Sequence, residues 1–108
     1  MKVIGKAIFL NTPCYVLLTY YSNSRPGLQL YDSQTRELFT TASVDVPYAE
    51  IPGDSILIKD CSENRGVLKS LVDSGILYYS GKSLEIHSEE LFLCYFSKEV
   101  LDEIQQEI

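Results

Sequence analysis

The chain has no tryptophan, one histidine and one methionine, and its nine lysines and arginines are outnumbered by fifteen aspartates and glutamates. Each shortage removes a class of function. Nucleic-acid binding requires clustered Lys and Arg to neutralise phosphates, so at a net charge of −6 no direct nucleic-acid partner is expected. The cysteines, Cys14, Cys61 and Cys94, are odd in number, far apart and without a CxxC pair. That spacing supports neither a zinc site nor a disulfide framework, and buried free thiols in a reducing cytoplasm are expected instead. Gly27, Gly53, Gly66, Gly75 and Gly81 stand isolated, so no phosphate-cradling loop is built, and GxSxG and HExxH are missing. No apolar run reaches the length of a membrane span, and Lys6 interrupts the apolar start before it can form a leader's core. An intact cytoplasmic protein without a membrane partner is expected.

What remains is an ordinary apolar fraction of 45% over 108 residues, enough for one folded domain spanning 1–108 with a single core. The charge is uneven. Residues 1–60 carry five basic against six acidic side chains, residues 61–108 four against nine. An acidic surface suits a basic partner, although solubility alone also accounts for it.

The hydrophobic pattern predicts strands over 3–10, 14–21 and 28–31, the last leading through the polar turn Asp32-Ser33-Gln34-Thr35-Arg36 into a strand over 37–46. In that strand Leu38, Thr40, Ala42, Val44 and Val46 share one face by period two. Pro47 and Pro52 make 47–54 a crossing loop. Ser55–Lys59 and Leu91–Phe96 are apolar on both faces, as strands covered on both sides are, and Leu91–Phe96 is expected to be central. A helix is predicted over 63–74, capped by Asp60 or Ser62, with Val67, Leu68, Leu71 and Val72 as its buried stripe and Gly75 as its terminator. Ile76–Tyr79 leads into a turn at Ser80-Gly81-Lys82, and Leu84 and Ile86 alternate with Glu85 and His87 in a half-buried strand. Ser97 is the expected N-cap of a closing helix with Val100, Leu101, Ile104 and Ile108 inside and Asp102, Glu103, Gln106 and Glu107 outside. Five strands, a helix, two strands and a helix predict an α+β fold, a mostly antiparallel sheet with both helices on one face.

Catalytic chemistry has few candidates. The sharpest is a Cys61/His87 pair, because Cys61 precedes a predicted helix start, where the dipole lowers a thiol pKa. The bland alternative is a capping thiol and a solvated strand histidine. Glu89 and Glu90 beside His87 are a weak metal signal, since adjacent side chains in an extended chain point apart. No cofactor, metal site or catalytic residue is therefore assigned. Eight tyrosines are many for this length. In Tyr20-Tyr21 and Tyr78-Tyr79 one ring of each pair is expected in the core and one outside, and exposed rings suit protein interfaces.

The stretches "GLQLYDSQTRELFTTASVDVP", "IPGDSILIKDCSENRGVLKSLVDSGIL" and "LFLCYFSKEVLDEI" together resemble a family of small uncharacterised acidic α+β proteins carried by bacterial plasmids, phages and other mobile elements. The resemblance covers most of 14–105 but not the arm 1–13, and it carries no catalytic residue. It implies an accessory role. The expectation is a non-catalytic protein that binds and inhibits or modulates a host protein, such as a nucleic-acid-binding component of a CRISPR or restriction defence system. Tyr20, Tyr79, Glu99, Asp102 and Glu103 are the candidate binding residues, with the acidic helix face standing in for phosphates. The alternatives are a small enzyme or ligand-binding domain using Cys61 and His87, and a homodimer joined through a strand edge.

Overall fold

Alternating apolar residues lay down the first half of the chain as a meander. In the computed structural model, which describes residues 2–105, strands β1 (Lys2–Phe9), β2 (Thr12–Tyr20), β3 (Pro26–Asp32) and β4 (Leu38–Thr41) form an antiparallel sheet in that order. Its inward face carries Ile4, Ala7, Phe9, Cys14, Val16, Leu18, Leu28 and Leu30, all buried in the main core. A bulge in β1 between Val3 and Gly5 shifts the alternation, so Ile4 and Ala7 both point inward. Gly5 lies so close to Ile76 that an added Cβ would sit 3.2 Å from its Cδ1. In the β3–β4 turn the Asp32 carboxylate accepts the Gln34 N–H at 2.8 Å and the Thr35 N–H at 3.2 Å.

The strand predicted over 37–46 is cut short. It leaves β3 after Thr41, because its pairing partner changes. Ala42 N–H still donates to the Leu28 carbonyl at 2.9 Å, while the Ala42 carbonyl accepts Lys59 N–H and Val44 N–H donates to the Leu57 carbonyl, both at 3.0 Å. The segment thereby joins the meander to a second antiparallel sheet. That sheet contains β5 (Ser55–Lys59), β6 (Leu77–Ile86) and β7 (Glu89–Phe96) in the order β5-β7-β6. The architecture is thus α+β with two sheets rather than one, since period two reports a residue's face and not its strand's partner.

β7 is central, as its two-sided apolar pattern predicts. On one side Ile56, Ile58, Cys94 and Phe96 join the main core. On the other, Leu57, Leu91 and Leu93 pack with Val46, Ala49 and Ile51 of the two-proline loop. Arg25 fastens that loop, its Nη1 donating to the Val46 carbonyl at 2.7 Å and its Nη2 to the Ala49 carbonyl at 2.6 Å.

The helix predicted over 63–74 is shorter. A single 3-10 turn at Ser62–Asn64 precedes α1 (Val67–Asp73), and Gly66 between them is left-handed at φ 94°. The break has a cause in Asn64, which is fully buried. Its Oδ1 accepts a short hydrogen bond from the Thr40 hydroxyl, and its amide donates to the Thr41 carbonyl at 2.9 Å. Holding Asn64 against β4 pulls this turn off the helix axis. Asp60 caps α1, one Oδ1 accepting both the Gly66 and Leu68 N–H groups at 3.0 Å. Val67 and Leu71 are buried, whereas Val72, placed on the same stripe by the sequence, is exposed.

α2 (Lys98–Gln105) buries Val100 and half-buries Leu101 and Ile104 against the main core. Ser97 holds the expected N-cap position, its backbone carbonyl accepting Leu101 N–H at 2.9 Å, but its buried hydroxyl makes no capping bond and has no hydrogen-bond partner among the described residues. The placements expected for Gln106, Glu107 and Ile108 lie outside the described residues. No described helix is long and apolar enough to cross a membrane.

Candidate interaction surface

The two sheets have four edge strands, β1, β4, β5 and β6; the segment 42–44 bonds β5, and the β1 and β6 edges are treated differently. At β1 the helices reach the edge. Ser70 Oγ donates to the Ile8 carbonyl at 2.6 Å, and Lys2 Nζ donates to the Glu103 carbonyl at 3.4 Å. At β6 no described strand pairs on the outer side.

Antiparallel alternation shows which β6 groups face outward. Ser97 N–H bonds the Ile76 carbonyl at 2.9 Å, so Tyr78 and Tyr95 exchange ladder bonds and Tyr79 directs its own N–H and C=O away from β7. At the other end His87 and Ser88, both left-handed at φ 51° and 66°, form the two-residue turn that closes the hairpin on Ile86 and Glu89. Counting back from that pair leaves Ser83 and Glu85 with outward backbone groups. Between the two stretches Ser80 and Gly81 bulge out, with Gly81 at φ 87° and Lys82 N–H donating to Ser80 Oγ at 3.1 Å. The turn expected at 80–82 is therefore a bulge within one continuous strand. His87 is a turn residue rather than a strand residue.

Each face of this edge has its own chemistry. On the loop side Tyr78 stacks on Tyr95 with ring centroids 5.6 Å apart. Beyond it a cleft of about 640 Å³ opens between β6 and the two-proline loop, walled by Ile51, Pro52, Leu84, Leu93 and Tyr95, with Glu50 and Lys82 also lining it. On the opposite face Tyr79 meets Phe92 edge-on at 5.5 Å, and Ser83 Oγ donates to Glu90 Oε2 at 2.7 Å. Glu85 lies directly across from Glu90 in the register.

Of the residues singled out from sequence, Tyr79 lies on this edge and is 41% exposed. Its neighbour Tyr78 is exposed as well, at 55%, so the expected inside–outside split of that pair is corrected. An edge strand with a bulge leaves both faces open at this point. In the other pair the split is found, with Tyr20 exposed and Tyr21 half-buried and bonded to Ser43 Oγ at 2.8 Å. Tyr20 ends β2 on the other sheet and does not touch Tyr79. Glu99, Asp102 and Glu103 are all exposed on α2. Sequence reasoning missed Ser83, Glu85, Glu90 and Ile51. The alternation of Leu84, Glu85 and Ile86 was their available signal, but nothing in it marks an edge.

The structure gives Cys61 and His87 no direct bond to each other among the described residues. Cys61 follows β5, and His87 is exposed in the turn. Burial raises the thiol pKa of Cys14, with Asp32 adding to it, and pushes Cys94 up to about 12, with Asp60 adding to it. Lys59 pairs with Glu63 at 3.3 Å and Glu89 at 3.7 Å. Among the described residues no cluster of three or more His, Cys, Asp and Glu side chains could hold a metal ion.

Comparison with protein families, with curated proteins and with solved structures gave no match, so no family is shown for this chain.

Proposed function

We propose that this chain is a non-catalytic protein-binding module that pairs an extended segment of its partner with the open edge of β6. The observation that carries the reading is the conjunction of outward backbone groups at Tyr79, Ser83 and Glu85 with a cleft of mixed apolar and polar lining along the same strand. Main-chain bonds to an edge give affinity, and pockets for alternate side chains give specificity. Within the accessory role expected from the sequence, the partner is a host protein and the effect is inhibition by occupation of its surface.

The test is local. Ser83→Pro removes an outward N–H without taking a backbone ladder bond from β7, so it should abolish partner binding, while Ser83→Ala, which loses the same Glu90 bond but keeps the N–H, should retain it at a matching thermal melt. Hydrogen exchange at Ser83 and Glu85 should slow on binding. A partner retained equally by Ser83→Pro, with no protection of these amides, overturns the reading.

A second reading rests on α2. Glu99, Asp102 and Glu103 form an exposed acidic face suited to the basic groove of a nucleic-acid-binding defence protein. Reversing all three charges abolishes binding in that case, and Ser83→Pro leaves it intact.

A further inference from the structure

We infer that the segment taken up by β6 is an extended peptide in which basic side chains alternate with apolar ones. The inference rests on strand addition at β6 and assigns the chemistry of what is added. A strand laid against β6 presents its side chains alternately to the two faces. One set enters the cleft, where Ile51, Pro52, Leu84, Leu93 and Tyr95 offer apolar walls. The other set arrives beside Glu85 and Glu90.

Those two carboxylates are the specific feature. They face each other in a non-hydrogen-bonded pair, the closer of the two antiparallel pair types. Like charges directly opposite in this position are destabilising. Neither forms an ion pair among the described residues, while nearby Glu89 is matched by Lys59. Glu90 has only the Ser83 hydroxyl. The hairpin thus places Glu85 on its open edge and Glu90 on the strand behind it, neither in an ion pair among the described residues, and an incoming Lys or Arg finds both carboxylates on one face. The net charge of −6 steers the same class of ligand from a distance.

A second copy of the chain fits less well. It brings another −6, and its β6 offers Lys82 as its only cation.

Synthetic peptides of about eight residues, long enough to span an average strand, provide the test. The first alternates Lys with Leu, the second Glu with Leu, and the third has the first one's composition in blocks. Binding is read by fluorescence polarisation. The alternating basic peptide should bind about ten-fold or more tighter than either control and weaken as salt rises. Glu85→Gln with Glu90→Gln should remove most of that preference and flatten the salt dependence. N-methylation of alternate peptide nitrogens should abolish binding without touching the protein fold. If the acidic peptide binds equally well and N-methylation still blocks it, the charge assignment falls and strand addition stands. If N-methylation changes nothing, or no peptide binds, strand addition falls too. A dimer in sedimentation that Ser83→Pro dissociates makes the occupant a second copy and overturns the inference.

Discussion

Arg25 Nη1 lies 2.7 Å from the Val46 carbonyl oxygen, and this contact spans the base of the loop that walls the β6 cleft. The same guanidinium holds Ala49 through Nη2, so one half-buried side chain sets the position of Glu50, Ile51 and Pro52. Arg25→Ala removes two charge-assisted bonds and should cost about 2–4 kcal/mol, measured by urea unfolding. Arg25→Lys should recover part of that at most, since an ammonium does not reproduce the fork. Both variants should weaken ligand binding at β6. Wild-type stability in Arg25→Ala would show that the loop is held by its apolar contacts alone.

Asn64 ties the 3-10 turn to β4 from a fully buried position. Asn64→Ala strands the Thr41 carbonyl and leaves the Thr40 hydroxyl without its acceptor. A loss of about 2–4 kcal/mol is expected in chemical denaturation, the range for breaking a buried polar pair. Asn64→Leu should be no better, because the carbonyl stays unpaired.

The Ser97 hydroxyl has the opposite character. It is buried without a hydrogen-bond partner among the described residues, so the molecule carries its desolvation with no return from them. Ser97→Ala should be neutral or stabilising by up to about 1 kcal/mol in thermal unfolding. A loss of more than about 1 kcal/mol, the usual effect of deleting a side-chain cap, would mean that the hydroxyl does cap α2 in solution.

Cys94 gives a pH signature. Its thiol is pushed up to about 12 in the fold from an ordinary 9.0, chiefly by burial. The unfolded thiol ionises first as pH rises, so the unfolded state loses protons before the folded one does. Stability should therefore fall between about pH 9 and pH 12, by up to about 1.4 kcal/mol per unit from this group. The comparison with Cys94→Ala isolates it, because that variant should lose the Cys94 share of the slope. In the native state a thiol reagent should label Cys61 and spare buried Cys14 and Cys94 until unfolding.

Much of this fold is legible in the residues. The two-sided apolar run Leu91–Phe96 announces the central strand. Leu28 and Leu30 take the core face that period two assigns them, and Gly75 ends α1 left-handed at φ 79°. Tertiary choices escape. Ala42–Val44 continues an alternating pattern, yet its bonds go to β5, because alternation carries no information about which strand lies alongside. Asn64 reads as an ordinary polar helix residue until the hydroxyl of Thr40 is placed beside it. The candidate surface was half visible. Tyr79 stood out as a spare ring, but the Glu85–Glu90 opposition depends on the turn at His87 and Ser88, whose left-handed backbone the sequence does not mark with glycine.

Ala42 divides its two backbone groups between the halves of the molecule, its N–H going to Leu28 and its carbonyl to Lys59. Strain applied to either half is felt at the two peptide units that flank the same Cα. The meander and the β5-β7-β6 sheet are thereby geared together, and neither can loosen by itself without stripping a rivet from the other. A pull on β6 is resisted by both sheets instead of by three strands alone.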